Sequence, residues 1–253
     1  MLAADRHHKI LRLLQEAGAV RTKEVASELQ VTDETIRKDF EVLEKKGLLS
    51  RSHGGAVPPS KLAIGDLTMN ERQLVNKEAK TAIARAAAKR ILPNETVFID
   101  ASSTALTMTP YLPDFPFTVI TNSHDVMGAL GSVDYIDLIC TGGLFEPRSR
   151  SLIGLAAERT LRRYNIHRMF FSGSGVDLER GISERNSRQA AFKERVIEVA
   201  EDVCMLADDS KIGQKSAFFY ADCKDLSTLI TTKKADNDVV KVLAQLQVEV
   251  VTV

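Results

Sequence analysis

The sequence has few cysteines, no long apolar run and no excess of charge of either sign. Cys140, Cys204 and Cys223 are odd in number and far apart, and each stands beside apolar residues. We therefore expect them to be reduced and buried, and we expect neither a disulfide framework nor a metal site.

The chain also shows no sign of a membrane segment. A membrane-spanning helix needs about 20 apolar residues, and no run approaches that length. Residues 1–9 are polar and basic, without an apolar stretch of signal-peptide length. These features predict a cytoplasmic protein without a membrane partner, and no motif indicates a cofactor.

The charge balance does not by itself indicate DNA binding. Lys and Arg number 34, and so do Asp and Glu. Residues 1–60 contain 10 basic and 9 acidic residues, so neither part of the chain is strongly basic. A DNA-binding prediction has to rest on where individual charges are placed.

A breaker-rich stretch divides the sequence into two parts. The 253 residues are enough for one small and one medium domain. The residues that interrupt regular structure between them are Pro58, Pro59, Ser60, Gly65 and Asp66. We predict an N-terminal domain at 1–57, a linker at 58–69 and a C-terminal domain at 70–253.

Hydrophobic periodicity predicts three short helices in the N-terminal domain. They cover residues 6–16, residues 23–29 and a segment that opens at 32 and ends at 47. Thr22 and Thr32 are predicted to cap the second and third helices. In the third helix Ile36, Phe40 and Leu43 form one buried stripe, and a β-hairpin wing is predicted around residues 51–55.

This pattern is typical of a winged helix-turn-helix, in which the helix after the tight turn, here the third helix, enters the major groove of DNA. The candidate DNA-contacting residues are Thr22, Lys23, Thr32, Asp33, Glu34, Thr35, Arg37, Lys38, Arg51 and His53. Asp39 is expected to be structural and tied to Arg37 or Arg51. On the pattern alone, a three-helix structural or protein-binding module remains an alternative.

The third helix and the wing carry a resemblance to a known family. Residues 32–39 have the sequence T-D-E-T-I-R-K-D, followed by L-E at 43–44, Gly47, Arg51 and H-G-G-A at 53–56. This resembles the signature of the DeoR family of bacterial sugar-metabolism regulators. The family commonly has arginine where Lys38 stands, serine at 32 and leucine at 40. Since lysine lacks the bidentate geometry of arginine, Lys38 is expected to contact phosphate.

Short apolar runs alternate with helical patterns through the rest of the chain. The runs cover 97–99, 117–121, 136–141, 169–171, 203–207, 229–231 and 248–251, after one long alanine-rich helix predicted over 70–91. Such alternation predicts an α/β domain with a mostly parallel sheet and helices on both faces.

Polar residues follow one predicted strand after another. In open α/β sheets ligands collect at the carboxyl ends of the strands, so these residues predict a shared pocket for a small polyol phosphate. The candidate effector-binding residues are Asp100, Ser102, Ser103, Thr104, Asn122, Ser123, Gly142, Gly143, Gly173, Gly175, Asp177, Glu184, Lys193, Asp208 and Lys211. Ordinary turn chemistry is the alternative explanation for any one of these loops.

The C-terminal segments also resemble the DeoR-family sensor domain, whose fold is similar to that of ribose-5-phosphate isomerase. The resemblance implies that residues 102–104 hold a phosphate, while Asp177, Glu184 and Lys193 face sugar hydroxyls. Glu184 and Lys193 could instead form a surface pair. Two positions depart from the family pattern, namely Ala101 for glycine and Asp209 for histidine.

Together these observations predict a repressor that a phosphorylated sugar releases from operator DNA. We expect a homo-oligomer, either a dimer or a tetramer, with recognition helices on neighbouring half-sites. An isomerase or acyl transferase acting on a sugar phosphate is the alternative from another class, and an activator is a third possibility.

Overall fold

The computed structural model describes residues 2–58 and 67–253, which form two compact units divided between Lys77 and Glu78. Most of the predicted linker, at 59–66, lies outside the described residues. No described helix is long and apolar enough to cross a membrane.

The first unit contains the predicted helices and wing. Its elements are α1 (Ala3–Ala17), β1 (Val20–Arg21), α2 (Thr22–Leu29), α3 (Asp33–Lys45), β2 (Ser50–Ser52), β3 (Gly55–Val57) and α4 (Met69–Leu74). The strands pair antiparallel in the order β1-β3-β2, which confirms the wing. Gly18 ends α1 with φ of 70° and donates its N–H to the Leu14 carbonyl.

The two predicted helix caps have different outcomes. The Thr32 hydroxyl accepts a hydrogen bond from the Thr35 N–H and opens α3, as predicted. The prediction that Thr22 caps α2 was wrong, because α2 begins at Thr22 itself and Arg21 takes the preceding extended position. Thr22 is 6% exposed and its N–H donates to the Gly54 carbonyl, so this residue joins α2 to the wing.

The single helix predicted over 70–91 is wrong. The chain forms α4 and then α5 (Lys77–Ala88), separated by Val75 in an extended conformation and Asn76 with φ of 53°. Asn is among the few residues that tolerate this left-handed region, so it can end one helix just before another begins. Thr68 and Glu71 form a capping box at the start of α4.

The second unit is an α/β domain. After α5 its elements are β4 (Thr96–Ile99), α6 (Ser103–Leu106), β5 (Phe117–Thr121), α7 (His124–Leu130), β6 (Ile136–Cys140), β7 (Leu144–Glu146), β8 (Ser151–Ile153), α8 (Leu155–Leu161), β9 (Ile166–Phe171), β10 (Gly175–Asp177), β11 (Gly181–Glu184), α9 (Ser187–Ile197), β12 (Ala200–Leu206), β13 (Phe218–Ala221), β14 (Thr228–Thr231), α10 (Asn237–Gln245) and β15 (Glu249–Thr252).

All the predicted apolar runs form strands of one parallel sheet, in the order β15-β14-β12-β9-β4-β5-β6. The predicted α/β architecture is therefore confirmed. The second unit also contains an antiparallel sheet, β10-β11-β13, and a hairpin, β7-β8, which the sequence did not predict. Both are built from short strands without long apolar runs.

Alternate residues of the central strands face opposite sides of the sheet. In β4, Val97 and Ile99 belong to the core cluster that includes residues of α5 and α7, while Phe98 belongs to the one that includes residues of α8, α9 and α10 and lies near Phe192 of α9. Since helices cover both faces, these strands are apolar at consecutive positions, as expected for a parallel sheet. Cys140 is exposed because it lies at the end of the edge strand β6, so its predicted burial was wrong.

Candidate functional sites

The exposed face of α3 is the first candidate site. Arg37 is exposed by about two thirds of its side chain and lies 3.6 Å from Glu34, which is similarly exposed. Because water screens such a pair strongly, it holds Arg37 only weakly. Lys38 is also exposed. Both basic side chains are thus accessible on the same helix.

A nearly buried ion pair holds α3 against α1. The Asp39 carboxylate accepts hydrogen bonds from the Arg6 guanidinium, and its Oδ1 lies 2.9 Å from both Arg6 Nη2 and His7 Nε2. Burial opposes ionisation of Asp39, but the bonds from Arg6 and His7 lower its pKa. The structural role predicted for Asp39 fits these contacts, whereas the predicted partners Arg37 and Arg51 were wrong.

The wing brings further candidate residues to the surface. Arg51 is about half exposed, and Glu44 accepts its N–H at 2.7 Å. His53 is exposed beside Gly54 at the turn. A Cβ on Gly55 would lie 2.0 Å from the Val20 carbonyl oxygen, so only glycine lets the wing pair with β1.

Among the ten candidate DNA-contacting residues, Thr22 is buried and the others are exposed or half-buried. The exposed or half-buried positions are Lys23, Thr32, Asp33, Glu34, Thr35, Arg37, Lys38, Arg51 and His53. We therefore leave Thr22 out of the candidate interface, because its side chain cannot reach DNA from inside the fold.

The second candidate site lies at the carboxyl edge of the parallel sheet. The chain order moves outward from β4 through β5 to β6 and then returns to β9 on the other side of β4. Such a switch point opens a crevice beyond the strand ends. Residues 100–104 follow β4 and residues 172–174 follow β9, so these two loops flank the crevice.

A buried cluster of charged groups joins these loops. Lys193 of α9 donates through Nζ to the Ser172 carbonyl at 2.5 Å and to Glu184 Oε2 at 2.7 Å. The same Nζ lies 3.4 Å from Asp100 Oδ2. The side chains of Lys193, Glu184 and Asp100 are 8%, 14% and 2% exposed, so a surface pair is excluded.

The environment of the cluster shifts the pKa of each charged group differently. Burial raises the pKa of Asp100, and the Lys193 charge offsets this only in part. Burial would also raise the pKa of Glu184, but the charge and hydrogen bond of Lys193 lower it to about 2. For Lys193 the neighbouring carboxylates outweigh burial and raise its pKa. Lys193 and Glu184 are therefore a fixed ion pair at neutral pH.

The loop after β4 holds a set of buried hydroxyls. Ser102 donates to Asp100 Oδ1 at 2.5 Å and caps α6 through the Ala105 N–H. Ser103 and Thr104 are also buried, and Lys80 of α5 donates to Ser103 Oγ at 3.1 Å. The sequence analysis missed Lys80. A lysine on the apolar face formed by Ile83, Ala84 and Ala87 is the signal that could have revealed it.

Two further loops contribute buried polar groups. Asn122 Nδ2 donates to the Leu152 carbonyl, and among the described residues its Oδ1 has no hydrogen-bond partner. Ser123 caps α7 through the Val126 N–H. Gln189, which was not predicted, donates from α9 to Ser151 Oγ at 2.6 Å.

The glycines of these loops serve the packing of the protein itself. A Cβ on Gly175 would lie 2.3 Å from the Gln214 carbonyl oxygen, and one on Gly143 would lie 2.6 Å from the Ile153 carbonyl oxygen. A Cβ on Gly173 would make milder contacts, with the side chains of Met205 and Ile182. Gly142 has a φ of 66°, a left-handed conformation that favours glycine. The backbone approach that requires glycine at 143 and 175 is thus explained within the chain.

The structure does not bring Asp177 into the Lys193 cluster. Asp177 pairs with Gly181 at the far end of the β10-β11 hairpin, about 10 Å along the strand from Ser174, which donates to Glu184. Its carboxylate accepts the Arg180 N–H at 2.9 Å and lies 3.4 Å from Lys215. Asp177 therefore stabilises its own turn.

Asp208 and Lys211 follow β12, the strand beside β9. Asp208 is buried and accepts the Ser210 N–H at 3.0 Å, so it caps the short helical turn at Asp209–Lys211. Lys211 is half-buried on that turn. Both residues lie at the same edge of the sheet as the Lys193 cluster.

Comparisons with known proteins cover both units. The family model of the DeoR-like helix-turn-helix domain matches residues 6–61, and that of the DeoR C-terminal sensor domain matches residues 75–233. The HTH-type transcriptional regulator YulB of Bacillus subtilis is 39% identical over 253 residues, covering 100% of this chain and 98% of that protein.

Two other relatives have names that refer to sugar operons. The L-fucose operon activator of Haemophilus influenzae is 32% identical, and the match covers 95% of this chain and 96% of that protein. A putative aga operon transcriptional repressor of Escherichia coli O157:H7 is 28% identical, and the match covers 99% of this chain and 94% of that protein.

Among solved structures, ribose 5-phosphate isomerase A from Methanocaldococcus jannaschii is similar with a TM-score of 0.41 and 16% identity. The match covers 54% of this chain and 55% of the isomerase, about half of each. At this level the likeness concerns the fold alone.

Proposed function

This chain belongs to the DeoR family of DNA-binding transcriptional regulators, and from that premise we propose that it represses a carbohydrate-catabolism operon and leaves its operator when a phosphorylated sugar binds the second unit. The observation that carries the effector proposal is the buried cluster at the switch point of the sheet. Lys80, Ser103, Asp100, Glu184 and Lys193 converge there from separate elements.

We assign DNA recognition to α3 and the wing. Arg37 and Thr35 face base edges in the major groove, and Lys38 contacts phosphate. Arg51 and His53 on the wing contact the DNA backbone. Exposure of these basic side chains supports the assignment, and the ion pair of Asp39 supports it by fixing α3 on the domain.

The phosphate end of the effector lies at Ser102, Ser103 and Thr104. Because α6 has only four residues, its dipole contributes little, and the hydroxyls and the Lys80 ammonium provide the binding. Lys80 is 5% exposed and already donates to Ser103 Oγ, so it can contact a phosphate oxygen without rearrangement of α5.

The sugar end lies at Asp100, Asn122, Glu184 and Lys193. Among the described residues Asn122 Oδ1 is buried and accepts no hydrogen bond, and Asp100 Oδ2 is buried with the Lys193 ammonium at 3.4 Å but no hydrogen bond. Sugar hydroxyls are the donors that such oxygens require, since a buried acceptor without a partner is destabilising. This supports a polyhydroxyl ligand more than a simple anion.

Within this cluster the pair of Glu184 and Lys193 is poorly suited to isomerase chemistry. A general base for proton abstraction works best with a pKa near 7. Glu184 has a pKa of about 2, and Lys193 is held as a cation, so neither is suited to exchange protons with a substrate. We propose a binding site without turnover.

Control of DNA binding requires the effector to favour one arrangement of the protein over another. Typical couplings of about 1–3 kcal/mol change operator affinity about 5- to 150-fold. A two-fold oligomer would place two α3 helices about 34 Å apart on successive half-sites. The relatives named above include an activator and a repressor, so the position of the operator relative to the promoter tests the sign of regulation.

The proposal is tested by fluorescence anisotropy with fragments of the chain's own promoter region at fixed salt. We expect specific binding that one member of a panel of sugar phosphates weakens at least fivefold. Lys80→Met should keep DNA affinity but lose this response, whereas the exposed Lys89→Met should behave like the wild type. Specific DNA binding that no sugar phosphate alters would refute the effector proposal.

A further inference from the structure

Tyr220 lies on β13 and packs against α9 from the small antiparallel sheet. It is 7% exposed and belongs to the same core cluster as Phe192 and Val196 of α9. In the pairing of β11 with β13, Ser183 opposes Phe219 and Ile182 opposes Ala221, so Tyr220 falls at the register shift. A bulge of this kind re-aims a side chain relative to its neighbours.

The hydroxyl of Tyr220 has no role in the fold. Tyr220 Oη is buried and has no hydrogen-bond partner among the described residues. Native proteins pair nearly all buried polar groups, because an unpaired one loses its contacts with water and gains nothing. Phenylalanine would provide the same packing without this cost, so packing does not explain the hydroxyl.

The surroundings of Tyr220 indicate what its hydroxyl can contact. Glu184 of β11 opposes Phe218, two residues before Tyr220 on β13. The α9 residues in the same core cluster as Tyr220, Phe192 and Val196, flank Lys193. Burial also raises the pKa of Tyr220. The hydroxyl therefore stays a neutral donor and acceptor beside the cluster that we assign to the sugar end. Since Lys193 and Glu184 neutralise each other, an uncharged hydroxyl is the ligand group that suits this position.

We propose that Tyr220 is a specificity-determining residue of the effector site and that its hydroxyl binds a hydroxyl group of the sugar, away from the phosphate. This inference rests on the proposed function. The phosphate end is held by Lys80 and Ser103, and Tyr220 lies on the side of Lys193 and Glu184. Sites built to bond a hydroxyl reject analogues that lack it, because the protein group is then left unpaired.

The test compares Tyr220→Phe with the wild type and with Tyr135→Phe, which removes the same hydroxyl from an exposed residue. The probes are ribose 5-phosphate, glucose 6-phosphate, fructose 6-phosphate, their deoxy analogues and inorganic phosphate, with affinity measured by calorimetry. For the sugar phosphate that the wild type binds most tightly, Tyr220→Phe should weaken affinity about 3- to 10-fold. Inorganic phosphate should bind both proteins within about twofold, since it occupies only the phosphate end.

Two further readouts separate a ligand contact from a structural role. Without ligand, Tyr220→Phe should melt at the same temperature as the wild type or higher, because it removes a buried unpaired group. The deoxy analogue that lacks the contacted hydroxyl should bind the wild type and Tyr220→Phe equally, which identifies that hydroxyl by a double-mutant cycle.

The outcomes distinguish this inference from the proposed function. If the wild type binds a sugar phosphate and Tyr220→Phe binds it equally well, the role of Tyr220 is refuted while the effector proposal stands. If the wild type binds none of the sugar phosphates, both fail together. If Tyr220→Phe lost as much affinity for inorganic phosphate as for the sugar phosphates, the inference would also be refuted, because the substitution would have disturbed the whole site.

Discussion

Glu184→Gln removes the negative charge from the buried pair with Lys193 and should destabilise the second unit at neutral pH. Burial alone would raise the pKa of Glu184, but Lys193 lowers it to about 2 from 4.5. The difference between the pKa of Glu184 in the unfolded state and in the folded state corresponds to about 3 kcal/mol of stability at pH 7. Glutamine keeps the shape of the side chain and loses this contribution.

The pH dependence of the effect follows from the sign of the shift. Because the folded-state pKa is the lower one, the stabilisation is complete above pH 4.5 and disappears as the pH falls towards 2. At pH 3 less than half of it remains, about 1.4 kcal/mol. The variant and the wild type should therefore differ strongly at pH 7 and much less at pH 3.

Differential scanning calorimetry of the full chain measures this difference. For a unit of this size, about 3 kcal/mol lowers Tm by about 6–12 °C. Glu179→Gln is the matched control, since Glu179 is 85% exposed, and it should melt with the wild type. If Glu184→Gln melted within about 2 °C of the wild type at pH 7, or if the difference were as large at pH 3, the argument from the buried pair would be wrong.

Three other variants probe the remaining assignments. Arg37→Ala should weaken operator binding by about 1–3 kcal/mol in an anisotropy titration and leave Tm unchanged; unaltered affinity would show that α3 is not the recognition helix. Ser103→Ala combined with Thr104→Ala should bind operator DNA normally but no longer respond to the sugar phosphate, and a normal response would place the phosphate elsewhere. Asp39→Asn should remove the negative charge that pairs with Arg6 and destabilise the first unit by about 3 kcal/mol in urea unfolding, so equal midpoints would refute a stabilising role.

The parallel sheet could be predicted because each of its strands is a short apolar run that can be recognised from neighbouring residues alone. The segments 117–121 and 229–231 contain adjacent apolar residues, at 119–120 and 229–230, and otherwise only Phe117 and threonines, which fits burial on both faces of a parallel sheet. The break at Val75 and Asn76 carries no comparable signal, because propensity alone allows a helix to continue through both residues. The short strands of β10 and β11 are likewise too brief to show a period.

The contacts of the candidate sites were less predictable than the fold. Asp39 was predicted to pair with Arg37 or Arg51, but its partners Arg6 and His7 are more than 30 residues away. Lys80 is 23 residues from Ser103, and no pattern along the chain relates the two. The spacing of residues along the chain predicts single helices and strands. It does not predict which residues of different elements meet, and each candidate site is formed by several elements.

The sequence by itself determined the three N-terminal helices, the seven strands of the parallel sheet, the family and the edge of the sheet where polar residues collect, because local periodicity or a continuous motif specifies each of them. The tertiary structure decided which of those residues meet. It placed Lys80, Asp100, Glu184 and Lys193 together, left Asp177 at the other end of its hairpin and buried Thr22. These outcomes depend on packing between elements distant in the chain, where burial and charge act through space and sequence separation has no influence.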